Sequence, residues 1–201
     1  MNQRLLALDV FRGMTIFFMI VVNTPGSWSY VYAPLLHAKW DGCTPTDLVF
    51  PFFMFIVGVS MAISYSKFEG TNDKDWIKKA VSRGLKIILI GLLLNWFPFF
   101  TKNIAELRFF GVLQRIGLSF MISGILVSIV NKKYLWILLA AILFSYWAIL
   151  LSAGEGALTL EGNLVKSIDL VLFGEAHIYK GYGIPFDPEG LLSTLPAIGT
   201  V

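Results

Sequence analysis

A histidine, a tryptophan, two aspartates and a cysteine crowd the stretch "LLHAKWDGCTPTD" (Leu35–Asp47), just before an almost unbroken apolar run, "LVFPFFMFIVG". Histidine titrates near neutral pH, so His37 has the chemistry of a general base or an acyl acceptor. Its plain alternative is a solvated loop side chain. Asn23 ends the preceding apolar stretch at "VVNTPG" and reaches the same end of the chain's helices, although Pro25 and Gly26 also make it an ordinary helix stop. The lone Cys43 rules out an internal disulfide and reads as small buried filler rather than a nucleophile.

A second set of candidates is cationic. Lys79, Arg83 and Lys86 are spaced four and three apart, which puts them on one face of a helix with Lys78 off it. Lys79 reads as a membrane-edge anchor with a snorkelling stem. Arg83 and Lys86 lie deeper and have the charge to hold phosphates. Arg115, inside "GVLQRIG", needs a partner at depth, with Arg108 at the boundary, and Asp47 has the matching charge. Asp9 and Arg12 are three apart and suit a local ion pair. His177, in "GEAHIYKG", is a second histidine candidate. Asp187 and Glu189, in "FDPEG", suit the amino end of a following helix, with sugar binding as the secondary reading. His37, His177, Asp187 and Glu189 are too dispersed for a metal-ligand motif, so no metal site is expected.

The elements that must carry these residues are membrane helices. Charged residues make up 14% of the 201 and mean hydropathy is +0.72, whereas soluble domains carry about 25% charge. Five stretches are long enough to cross a bilayer, about Leu6–Asn23, Thr46–Ser66, Ile77–Phe97, Phe109–Val130 and Tyr134–Ala153. A sixth starts at Leu191 and is still apolar at Val201. The expectation is therefore an all-α, polytopic transmembrane bundle of five complete helices plus the start of a sixth, part of a longer chain. The long segment Gly154–Gly190 suits a lid or short helices. Net charge is +3, and the basic residues cluster as a topology signal rather than a nucleic-acid surface. Arg4, the Lys67–Lys86 region and Lys132-Lys133 all fall on one side, taken as cytoplasmic by the positive-inside rule. His37 then faces outward.

The stretches "LALDVFRGMTIFFMIVVN", "HAKWDGCTPTDLVFPFFMFIVG", "GVLQRIG" and "DPEGLLSTLPAI" together resemble the heparan-α-glucosaminide N-acetyltransferase family. Bacterial relatives in that family are often labelled N-acetylglucosamine-related transporters. The likeness implies one transmembrane acyltransferase-like domain over residues 1–201, in a bacterial plasma membrane. It implies transfer of acetyl from cytoplasmic acetyl-CoA to the amine of an external amino sugar. Through "HAxW" the family's essential histidine falls on His37, its active-site asparagine on Asn23, the aspartate of "TDLVFP" on Asp47, and its arginines on Arg108 and Arg115. His37 would take the amine proton or the acetyl group, and Asn23 would orient the imidazole or donate to the oxyanion. Asp47 would hold the other imidazole nitrogen or pair with Arg115. Arg83, Lys86, Arg115 and Arg108 fall to the acetyl-CoA side, and Trp40, His177, Asp187 and Glu189 to the sugar side. Arg83 to Asn95 spans roughly 18 Å of helix, comparable to an extended pantetheine arm. An amino-sugar permease is the alternative, although no paired repeat of broken helices is visible. The partners expected are an amino sugar and the lipid bilayer, without nucleic acid, and a homodimer is left open.

Overall fold

Apolar runs of 17 or 18 residues can satisfy their backbone groups inside lipid only by closing helical hydrogen bonds, and the computed structural model is helical throughout these stretches. It describes residues 5–68, 73–99 and 103–201, among which there are seven α-helices and no strand. Arg4, used for orientation, lies outside the described residues. The chain divides into two compact units, Met1–Ala62 with Thr200–Val201, and Ile63–Gly199.

In the first unit α1 (Leu6–Asn23) is followed by a loop with two short 3-10 turns, Trp28–Tyr30 and Ala33–Leu35. The turn Pro45–Leu48 then opens α2 (Val49–Tyr65). Arg12 makes the local pair with Asp9 expected from its spacing, at 3.3 Å, and its second nitrogen donates to Ser60 Oγ at 2.8 Å. That bond joins α1 to α2, and the Phe11 and Phe52 rings meet beside it at 5.7 Å.

In the second unit α3 (Asp73–Trp96) runs antiparallel to α4 (Val112–Ile129). Their backbones come close because each helix offers glycine at the crossing. A Cβ on Gly84 would sit 2.7 Å from the Gly117 carbonyl, and one on Gly117 would sit 2.6 Å from the Gly84 carbonyl. Small residues are what bring membrane helices into backbone contact. The buried Trp76 indole donates to Gly124 O at 2.7 Å at one end of this pair. At the other end Asn95 Nδ2 donates to Arg108 O and Phe110 O, at 2.9 and 3.1 Å. The unit continues through α5 (Leu135–Leu151), α6 (Leu164–Phe173) and α7 (Thr194–Thr200). No α5 residue is buried, and Trp136 is 78% exposed, as suits a helix bathed in acyl chains.

Among the described residues, four segments are long and apolar enough to cross a membrane: Leu6–Asn23, Pro45–Tyr65, Val112–Ile129 and Lys132–Leu151. The expected third span is a helix, and a longer one than expected. It is not among those four, because Lys78, Lys79, Arg83 and Lys86 interrupt its apolar stretch. Among the described residues, four of the five expected spans are therefore supported by length and composition, and the third is a strongly charged helix. The helix expected from Leu191 begins at Thr194, and the segment before it contains α6. Cys43 is exposed rather than buried, because its turn carries it outward ahead of α2.

Candidate active site

The first cluster is built by the start of α2. In "TPTD", Thr44 is the helix N-cap, Pro45 fills the first turn where no backbone donor is needed, and Asp47 stands three residues on. Asp47 folds back in a capping box, its Oδ2 accepting from Thr44 N at 2.8 Å, Thr44 Oγ1 at 3.0 Å and Ala38 N at 3.2 Å. Its other oxygen, Oδ1, lies 2.6 Å from His37 Nδ1. The Thr44 hydroxyl also sits 2.7 Å from Leu36 O, and Thr46 Oγ1 donates to Pro34 O at 3.2 Å. The loop before His37 is therefore stitched to the turn that carries Asp47. Two backbone N–H groups aimed at Oδ2 leave Oδ1 to accept from the imidazole, while the single Thr44 hydroxyl proton is shared between Oδ2 and Leu36 O. With the proton on Nδ1, His37 presents Nε2 as a free base.

The His37 side chain is 63% exposed and that of Asp47 27%, so this pair lies at an open edge. A carboxylate that orients an imidazole at an exposed edge equips that imidazole to act as a general base. Asn23, at the last turn of α1, donates from Nδ2 to Met19 O at 2.8 Å, which leaves one amide hydrogen for another acceptor. Trp40 lies half-buried on the same loop. Thr44 and Thr46 were missed in reading the sequence, although S/T-x-x-D ahead of an apolar run is a helix-start signature that points to Thr44.

The second cluster lies in the Ile63–Gly199 unit. Arg108 forks onto the fully buried Asp187, with Nε to Oδ2 at 2.8 Å and Nη2 to Oδ1 at 2.6 Å, and Nη2 also reaches Glu189 Oε2 at 2.6 Å. The guanidinium stacks over Tyr179, 4.6 Å from the ring centre. Burial opposes the Arg108 charge, but the Asp187 hydrogen bond and the two acids outweigh it and raise its pKa. Burial pushes the Glu189 carboxyl up, against the pull of Arg108. Arg115 Nη2 donates to Pro188 O at 3.0 Å, to Ser193 O at 2.7 Å and to the Ser193 hydroxyl. Two arginines assigned to the acetyl-CoA side are thus joined with two acids assigned to the sugar side.

His177 serves packing in this cluster. Its Nδ1 bonds Leu107 O at 2.7 Å, and its ring stacks on Phe109 at 4.1 Å.

The lysine and arginine stripe on α3 does not share one environment. Lys79 lies 4.9 Å from the Phe68 ring centre and 3.4 Å from Ser64 Oγ, and Arg83 lies 5.0 Å from the Phe120 ring centre. Lys86 lies on an open surface of α3 that Lys74 and Lys78 also border. Arg83 and Lys86 have no carboxylate partner among the described residues.

The family model described as "Heparan-alpha-glucosaminide N-acetyltransferase, catalytic" matches residues 4–171, which include His37, Asp47, Arg108 and Arg115. The chain belongs to this family. Two curated relatives carry the name heparan-alpha-glucosaminide N-acetyltransferase. The mouse protein is 24% identical, with 98% of this chain and 37% of the relative covered. The human protein is 26% identical, with 97% and 36% covered. The chain therefore spans a little over a third of the length of these relatives, and it holds both clusters within that part of the family.

Proposed function

We propose that this chain is part of an integral-membrane acyltransferase that moves acetyl from acetyl-CoA to the amine of an amino sugar, with His37 handling the amine proton. The observation that carries this reading is the His37 imidazole held through Nδ1 by Asp47 at 2.6 Å on a largely exposed side chain. In the transfer the amine nitrogen attacks the thioester carbonyl while Nε2 takes its proton. The carbon–sulfur bond then breaks, and the departing thiolate recovers that proton. Asn23 supplies a donor to the oxyanion, an interaction of about 3 kcal/mol in comparable sites. The family name of the relatives supports the reaction class.

Arg83 and Lys86 are the better candidates for the phosphates of the donor. Arg108 is already neutralised by Asp187 and Glu189, whereas the π face of Arg83 rests on Phe120 and its N–H edge stays available for an anion. The cluster of Lys67, Lys74, Lys78, Lys79, Lys132 and Lys133 supports a cytoplasmic side for these cations and an external one for His37.

The test is acetyl-CoA-dependent acetylation of glucosamine by the protein reconstituted in membranes. His37→Ala should lower turnover at least 100-fold with an unchanged thermal unfolding curve. Turnover equal to wild type in that variant overturns the assignment. Uptake of labelled glucosamine into liposomes without acetyl-CoA would show a permease instead.

A further inference from the structure

We propose that Asp169 holds a proton while α6 is docked on the Asp187–Leu191 turn and that losing this proton weakens the docking, making α6 and the turn a pH-operated latch. Asp169 is fully buried on the ten-residue α6, on the face that also buries Val165. Its Oδ1 accepts from Leu191 N at 3.1 Å, which ties α6 to the turn 22 residues later in the chain. Its Oδ2 has no hydrogen-bond partner among the described residues. That oxygen lies against Gly190, where any Cβ would overlap it, so the turn approaches the carboxyl as closely as glycine permits. A carboxylate so placed would be a buried anion with one hydrogen bond, whereas the neutral acid carries a far smaller desolvation cost.

The surrounding charges do not rescue the anion. Arg115 from α4 favours it and Asp187 from the turn opposes it. The Arg115 guanidinium donates to Pro188 and Ser193. Glu189 from the turn and Tyr146 from α5 act on Arg115. Lys166 on α6 itself reaches the Glu161 carbonyl at 3.3 Å. In the 3-10 turn after α6, Glu175 pairs with Lys180 at 3.4 Å and His177 bonds Leu107 O. Burial accordingly raises the Asp169 pKa from 3.8 to about 6. The sign follows from that direction. Docking is strongest below about pH 4, and it is lost progressively as pH rises toward about 6, where the docked carboxyl itself ionises. Arg108 and Arg115 grip the same turn, so opening the latch releases α6 from a turn that both arginines still hold.

The latch stands apart from the transfer reaction, and its test reads structure rather than turnover. With the full chain in lipid nanodiscs, the protection factor of the Leu191 amide, corrected for intrinsic exchange, should fall about 100-fold between about pH 4 and pH 7. Asp169→Asn, which cannot ionise, should abolish that fall. A wild-type protection factor that stays flat across this range, or an Asp169→Asn variant with the same pH dependence, overturns the proposal. Should that variant not fold, infrared spectroscopy of wild type with carbon-13 aspartate decides. A carboxylic-acid band that fades near about pH 6 supports the latch, and a spectrum without any such band above pH 5 overturns it.

Discussion

Replacing Asp47 by Asn should silence His37 while leaving the loop in place, and the local hydrogen bonds say why. Two backbone donors, Thr44 N and Ala38 N, converge on Oδ2 at 2.8 and 3.2 Å. An asparagine must therefore turn its carbonyl oxygen to that side, since its NH2 group would face two N–H donors there. The NH2 group then points at His37 Nδ1, which sits 2.6 Å from Oδ1 in the native chain. It donates to Nδ1, so the imidazole proton moves to Nε2 and the base is lost. General-base catalysis contributes about 10²- to 10⁴-fold, which is about 2.7–5.4 kcal/mol of transition-state stabilisation. Acetyl-CoA-dependent acetylation of glucosamine should fall by that factor, with thermal unfolding within about 1 kcal/mol of wild type because the capping bonds survive. Nitrogen-15 NMR of the His37 ring should report the exchange of tautomers. Activity within tenfold of wild type, or an unchanged tautomer, refutes the reasoning.

Gly84→Ala should destabilise the α3–α4 pair by about 1–3 kcal/mol, since the new methyl would sit 2.7 Å from Gly117 O and 2.8 Å from Met121 Cβ. Thermal unfolding in detergent followed by tryptophan fluorescence measures it. Asp187→Ala leaves Arg108 with two of its hydrogen bonds gone and should cost about 3–5 kcal/mol. Adding Arg108→Met should recover part of that loss, which a double-mutant cycle detects. Asp169 should make the folded protein less stable as pH rises from about 4 to about 6, by up to about 3 kcal/mol for a shift from 3.8 to about 6. Unfolding of wild type and Asp169→Asn across that range should differ by this amount at the upper end and converge at the lower.

Local signals made much of the fold readable. The apolar stretches at Leu6–Asn23 and Tyr134–Ala153 correspond to α1 and α5, because a chain in lipid must satisfy its backbone groups within the segment itself. Asp9 and Arg12, three apart, meet as their helical spacing requires. Of the candidate site, His37 and Asp47 share one short stretch, so their proximity was legible. The choice between an imidazole and an arginine as the partner of Asp47 was not. It depended on how the loop folds back, and the bond in the structure is to His37.

Residue types along the chain locate the long apolar helices α1, α2, α4 and α5, the gathering of basic residues, and an imidazole ahead of α2. Those properties follow from residue type and from neighbours within a turn or two. Only the tertiary structure decided that Arg108 reaches Asp187 across 79 positions, that Arg115 grips the turn before α7, and that Asp169 is buried against Gly190. Charge and spacing admit several partners for each of these groups. Which one is met depends on how α4, α6 and the turn pack, and burial then sets what each charge costs.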